Sequence, residues 1–341
     1  MIMQVVFFGW NPAEPQNAQF SQLPGTVNLA ISKWLVVGGL LGAHFFSDPH
    51  TAATYMRVYA TPHSREQFKF YAYYLPWVSI FLLVWAFNAP YVAGVVVYVH
   101  MMWVYQHYTS QSFGISLIYC YKRGYFLSKL EREIFRWMML AISFFVISRI
   151  LCFKDFSPPV FYGVNLPFWG VPEIVSHVCR FAMIALTSAF AFIVVRKYFT
   201  ERKLIPIPSL MLILSVAAIG LSTGFANSML WFYGAAFFHG SQYCAVALAF
   251  YLKEKGFAEG TDPRTIAKLF ITPSAFKWYG LLFLSGIFIY VGVPRFLDTT
   301  FAIKWVTAAT CIQACLNFHH FVTDAAIWKL RDPKARKILL A

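Results

Sequence analysis

Nine stretches of mostly apolar residues, each close to the length of a membrane crossing, dominate this chain. A spanning helix takes about 20 such residues. Candidates fall near residues 28–47, 69–88, 91–109, 134–153, 173–195, 206–224, 228–252, 277–293 and 302–328. Lipid offers the backbone no hydrogen bonds, so each run must satisfy its own N–H and C=O groups as a helix. The expected fold is therefore an all-α, polytopic bundle of about nine spans, one integral-membrane domain over 1–341. No internal repeat, low-complexity tract or soluble module interrupts it. Composition points the same way: 12% of residues are charged, against about 25% in a soluble domain. That excludes a disordered chain and an ordinary cytosolic enzyme.

Charge orients the bundle. Arg57, Arg65 and Lys69 follow the first span; Lys122, Arg123, Lys129, Arg132 and Arg136 follow the third. Arg196, Lys197, Arg202 and Lys203 follow the fifth, and Lys253, Lys255, Arg264, Lys268 and Lys277 follow the seventh. Lys329, Arg331, Lys334, Arg336 and Lys337 close the chain. The alternate loops carry few or no basic residues, which is the positive-inside pattern. It predicts an external amino terminus and a cytoplasmic carboxyl terminus; the lack of a recognisable signal peptide fits a bacterial inner (plasma) membrane. The formal net charge of +14 then suits anionic headgroups, so the expected partner is the lipid bilayer and not nucleic acid. Residues 1–10 lack a basic n-region and a cleavage site, and do not read as a removed leader. Residues 155–172, with Pro158, Pro159, Pro167 and Pro172, are predicted to cap the outer face. The six cysteines include no CxxC and read as small apolar residues.

Ionisable groups at membrane depth are costly and therefore informative. Of nine histidines, His177 lies on the fifth span near its outer end, and His63 falls in a basic loop. The candidate metal ligands are His44, His50, His100, His107, His239, His319 and His320. They sit on spans one, three, seven and nine, with His44 near the inner end of its span and His50 just beyond it. Helical periodicity groups His100, His107 and Gln111 on one stripe if span three stays helical past Tyr108. A second stripe holds Gln313, Asn317, His320 and Asp324. His239, Gln242 and Tyr243 stand at i, i+3 and i+4. Adjacent helical positions diverge by about 100°, so His319 and His320 cannot both face one neighbour. The spacing predicts that His107, His239 and His320 converge. Asp324 would ligate or orient an imidazole, and Gln111, Gln242 and Tyr243 would supply supporting hydrogen bonds.

Imidazole and carboxylate ligands without thiolate suit iron, copper, manganese or zinc. Histidines from several helices beside an apolar interior favour non-haem iron and oxygen chemistry. In layout the chain resembles the integral-membrane iron oxygenases: fatty-acid desaturases, hydroxylases, alkane monooxygenases and bacterial carotene-cleaving dioxygenases. The segments nearest to desaturase HxxxH and HxxHH boxes are H-M-M-W-V-Y-Q-H at 100–107 and H-H at 319–320. The resemblance implies a membrane metal-dependent oxygenase with a hydrophobic small-molecule substrate and an electron-donor protein, here with about four ligands to one ion. Two other readings use the same residues. One is a haem-binding electron carrier with His107 and His239 as axial ligands; the other is a proton- or ion-coupled transporter using the polar stripes as its route.

Overall fold

Three prolines interrupt apolar helices, and each has widened the turn before it. In the computed structural model, which describes residues 41–154, 159–225, 230–254, 268, 270–328 and 339, five-residue π-helical turns at Ala43–Ser47, Phe70–Tyr74 and Phe288–Gly292 precede Pro49, Pro76 and Pro294. Proline has no N–H, and its ring crowds the carbonyl four residues back. The preceding turn opens to relieve that contact. Carbonyls freed in this way find side-chain donors. Phe45 O accepts from the Tyr279 hydroxyl, and Ala72 O from the Tyr59 hydroxyl at 2.6 Å. The Leu75 N–H skips to Phe70 O, leaving Tyr71 O to His319 Nε2 at 2.9 Å.

The elements run in order as α1 (Asp48–Tyr59), α2 (Pro62–Gln67), α3 (Leu75–Asn88), α4 (Pro90–Lys122) and α5 (Lys129–Cys152). A small hairpin follows, β1 (Val160–Phe161) with β2 (Val164–Asn165), then α6 (Glu173–Glu201), α7 (Ile207–Phe225) and α8 (Leu230–Glu254). The last elements are α9 (Pro273–Ile287), α10 (Val293–Phe301) and α11 (Trp305–Ile327). Most predicted spans thus coincide with helices. Residues 1–40, and with them the amino-terminal segment and most of the first predicted span, lie outside the described residues. So do residues 155–158 of the predicted cap, Lys255, Arg264 and the basic tail Lys329–Lys337.

Among the described residues, four helical stretches are long and apolar enough to cross a membrane: Phe70–Asn88, Lys129–Cys152, Glu173–Glu201 and Pro273–Phe301. The most apolar window of Glu173–Glu201 is only 11% buried. Phe181, Phe192 and Phe199 project from α6, and Trp77 and Phe81 from α3, a surface that lipid would cover and water would not tolerate. Helices α4, α8 and α11 are equally long, but their polar stripes lower their hydropathy. These are the helices that carry the histidines.

Two departures from the sequence reading matter. The chain does not leave the protein after residue 47: α1 continues from the first π-helical turn and buries Asp48, Pro49, His50, Thr51, Ala52, Ala53 and Thr54 against α8, α9 and α11. The predicted cap contains a hairpin, pairing Val160 with Asn165 and Phe161 with Val164. Its turn residues Tyr162 and Gly163 both have positive φ, as a two-residue primed turn requires. Thr310 Oγ1 donates to Tyr162 O at 3.3 Å, tying the hairpin to α11. Helix α5 also begins earlier than its apolar run, because Ser128 and Glu131 form a reciprocal capping box.

Helix α1 and the turn before it are wedged between two glycines. A Cβ on Gly240 of α8 would lie 2.6 Å from the Phe46 carbonyl, and one on Gly286 of α9 would lie 2.9 Å from Asp48 Cβ. Gly280, on the same helix as Gly286, has nothing within 4 Å of that position. Gly286→Ala is expected to cost about 1–3 kcal/mol through overpacking. Gly280→Ala should instead stabilise by up to ~1 kcal/mol, the helix propensity gain. Thermal unfolding of the two variants in detergent checks the opposite signs.

Candidate metal centre

Helices α1, α4, α8 and α11 each place one histidine at a common point. One ring nitrogen from each of His50, His107, His239 and His320 lies within 4.8 Å of the others. Ring centroids stand 4.6 Å apart for His50 and His320, 4.8 Å for His107 and His239, and 4.9 Å for His50 with His239 and His107 with His320. All four residues are buried, His320 completely. Among the described residues, the Nε2 of every one, and Nδ1 of His239 as well, has no hydrogen-bond partner. A buried polar atom left unpaired costs roughly 1–3 kcal/mol, and native interiors rarely tolerate a group of them together. Two nitrogens each about 2.1 Å from one metal can stand at most about 4.2 Å apart, so a pair at the 4.8 Å limit would have to close by at least about 0.6 Å to share an ion.

Two of the rings are held with Nε2 bare. His50 Nδ1 contacts Ser47 O, a carbonyl of the first π-helical turn, so Nδ1 carries the proton and Nε2 the lone pair. His320 Nδ1 meets Thr54 Oγ1 at 2.8 Å. Thr54 passes its hydroxyl proton to Asp324 Oδ1 at 2.7 Å, which also accepts from Tyr243 at 2.9 Å. Trp328 Nε1 donates to the Tyr243 hydroxyl at 3.0 Å. Donors and acceptors fit one scheme: His320 N–H to threonine oxygen, threonine O–H to carboxylate, tyrosine O–H to the same carboxylate. Asp324 is thus an acceptor that fixes the His320 tautomer through one intervening hydroxyl, with its Oδ2 3.6 Å from His320 Nε2. His107 stacks on Phe321 at 4.3 Å, and His239 lies 4.4 Å from the Tyr108 ring. Packing, rather than hydrogen bonding, orients these two.

The remaining candidates are placed elsewhere. His44 pairs with Asp48 at 2.7 Å, one turn along. His100 stacks on Phe321 at 5.8 Å, two turns or about 10 Å of helix rise from His107. His319 points the other way from His320, donating from Nε2 to Tyr71 O and packing on Tyr55 at 5.0 Å. These three belong outside the four-imidazole group. Gln111 sits on a helix that does continue past Tyr108, and its Nε2 donates to the His239 carbonyl at 3.3 Å. Gln242 is half-buried on α8 and does not line the adjoining cavity.

That cavity, of about 750 Å³, opens directly beside the cluster. His107, Tyr243 and Asp324 form one end of its wall; Trp103, Ile115, Ile118, Phe321 and Trp328 are among its apolar sides. Its size falls within the range of small-molecule sites. All six cysteines are free and at least partly buried, as the spacing predicts. No protein-family model, curated protein or solved structure matches this chain.

Thr54 and Trp328 were not apparent in the sequence. The segment D-P-H-T-A-A-T places Thr54 one turn after His50, but its partners come from other helices. Thr54→Val keeps the shape and removes the hydroxyl between His320 and Asp324. Loss of such a supporting contact typically weakens metal affinity by about 10–100-fold. Thr54→Val should fall in that range in a chelator competition, whereas Thr54→Ser should bind like the parent.

Proposed function

We propose that this protein is an integral-membrane, metal-dependent oxidoreductase, a non-haem iron oxygenase acting on a lipid-like substrate. One observation carries the reading: four buried histidines, from four helices, each bring one ring nitrogen within 4.8 Å of the others, and the Nε2 of each has no hydrogen-bond partner among the described residues. Four neutral nitrogen ligands with no thiolate suit iron, copper, manganese or zinc. Iron(II) with an open coordination position would supply activation of dioxygen for attack on a C–H or C=C bond that has no polar handle. The protein's own groups have separate tasks. His50, His107, His239 and His320 hold the ion. Thr54 and Asp324 keep His320 in its ligating tautomer. Tyr243, at the boundary between cluster and cavity, presents a hydroxyl hydrogen-bonded to that carboxylate. The cavity between α4, α8 and α11 admits the substrate and excludes bulk water.

The crowding of the rings favours this reading over a haem carrier. His50 and His320 stand within 5 Å of His107 and His239, in the space a porphyrin's own nitrogens would need. The cavity favours it over an ion route, since most of its lining is apolar carbon. The proposed setting has nine spans, an external amino terminus and the cytoplasm at the basic loops. Its support is the alternation of charge along the sequence.

Purified protein is expected to hold about one transition-metal ion per chain by elemental analysis. His239→Ala and His320→Ala should each release it and abolish dioxygen-dependent substrate conversion; His319→Ala should retain the ion. A preparation without stoichiometric metal, or full activity in both cluster variants, would sink the assignment. A Soret band would replace it with the haem reading.

A further inference from the structure

The cavity beside the imidazoles lies where two helices part. Over their amino-terminal stretches α4 and α11 share one apolar cluster, in which Ala93, Val97 and Met101 join Cys311 and Ala314. Phe321 of α11 then packs in a second cluster with Val104, Tyr105 and Tyr108 of α4. Beyond Phe321 the cavity comes between them, with Gln106, Ser110 and Gly114 on the α4 side and Val322 and Ala325 on the α11 side. Exposure marks where it opens. Between Met101 and Tyr121, α4 has one exposed residue, Ser110; along Trp305–Ile327, α11 has one, Ala325. Both line the cavity, so both stand at its mouth. Behind them a Cβ on Gly114 would meet nothing within 4 Å. At the inner end stands buried His107, whose Nε2 has no hydrogen-bond partner among the described residues.

The surroundings of the mouth suit hydrocarbon and not water. Helix α4 carries no Asp, Glu, Lys or Arg before Lys122, 12 positions past Ser110, or about 18 Å of helix rise. On α11 the one such residue is Asp324, buried and engaged by Thr54 and Tyr243. Gln106 Nε2 donates to Ser110 Oγ at 2.9 Å, so the polar groups at the rim engage each other, as a setting without water requires. On the opposite flank Tyr71 lines the cavity and meets Phe70 edge-on at 5.4 Å, and Phe70 stacks on Tyr74 at 6.3 Å. Phe70, Tyr74 and, one turn on, Trp77 are all exposed. They form an apolar apron from the rim to the outer face of α3, the kind of surface lipid tails cover.

From this arrangement we infer that the cavity opens sideways into the bilayer between α4 and α11, and takes an uncharged hydrocarbon chain directly from the membrane interior. A chain entering past Ser110 reaches the level of His107 after three positions of α4, about 5 Å of rise. A charged group carried through the same mouth would meet no lysine or arginine in the described lining, and its transfer into hydrocarbon is costly. That the chain is a substrate rests on the cluster being the reaction centre; the sideways mouth makes its own prediction.

The test uses full-length, metal-loaded protein in phosphatidylcholine nanodiscs, with an NBD fluorophore on Ser110→Cys or Ala325→Cys in a Cys179→Ser background. Phe181→Cys on the exposed apolar face of α6 and Glu66→Cys on α2 serve as the lipid and water references. Nitroxide-bearing lipid should quench both mouth positions as it does Phe181→Cys, and aqueous iodide should leave both unquenched. Iodide quenching equal to that of Glu66→Cys, or no quenching by either agent, would overturn the inference. An uncharged alkyl diazirine dissolved in the same discs and activated by light should label residues 103–114 and 321–325. Gly114→Phe, which fills the space behind the mouth, and Ala325→Trp, which narrows it, should each cut that labelling about tenfold with metal content unchanged. Undiminished labelling of both variants would also overturn it. Metal analysis of the same samples keeps the two readings apart: a labelled cavity in metal-free protein would overturn the metal assignment alone, and a water-exposed mouth in metal-loaded protein the sideways route alone.

Discussion

A buried imidazole can offer a lone pair to a shared point only when its other nitrogen is held or its ring is clamped. The geometry of the cluster follows from meeting that condition four times. His50 meets it with a backbone carbonyl and His320 with a hydroxyl backed by a carboxylate. His107 and His239 meet it with aromatic faces. Had the Nε2 atoms been paired with ordinary donors or acceptors, the four rings would be a structural network. Their common lack of partners among the described residues, at complete or near-complete burial, is what a set of metal ligands would require.

The prolines connect this chemistry to the fold. A regular α-helix has no carbonyl to spare, because each one is taken by the N–H four residues on. Pro49 and Pro76 break that accounting locally, and the released carbonyls sit where the helices cross. One π-helical turn receives Tyr279 and supplies Ser47 O to His50; the other receives Tyr59 and His319. His319, beside a proposed ligand in sequence, is therefore a fastening between α11 and the turn before α3. The close approach also needs Gly240 and Gly286, which let α8 and α9 seat against the widened segment without a side chain between the backbones.

Much of this was legible in the sequence, and the boundary has physical causes. Apolar runs located the long helices of the described residues, because burial in lipid acts on every residue of a span, but not α1, α2 or α10. Adjacent helical positions diverge, yet the sequence alone keeps both His319 and His320 among the candidate ligands; the hydrogen bond of His319 to Tyr71 O and its packing on Tyr55 are what set it apart. Depth and facing brought His107, His239 and His320 together. His50 was placed just beyond the first span because D-P-H looks like the polar end of a helix, yet the chain widens at Pro49 and goes on. Thr54 carries no signal in a single sequence: a threonine on a helix more often bonds its own backbone than bridges two other helices. His44 and His100 share the apolar setting of the ligands, and only packing distinguishes them, through Asp48 in one case and the 10 Å of helix rise in the other. The hairpin was hidden by its prolines and aromatic residues, which suit many irregular loops.

The position of Asp324 has a consequence for the proposed chemistry. A divalent ion held by four neutral imidazoles keeps its full charge, and in a low-dielectric interior that charge needs a counter-ion. A carboxylate bound directly would neutralise half of it and occupy a coordination position. Asp324 is instead engaged through Oδ1 by Thr54 and Tyr243, with Oδ2 3.6 Å from His320 Nε2, near enough to offset the charge. An ion held by the four histidines would keep its electron-accepting character. A site built this way couples the location of the negative charge to the adjoining cavity, because the same α8 tyrosine that donates to the carboxylate also lines that cavity.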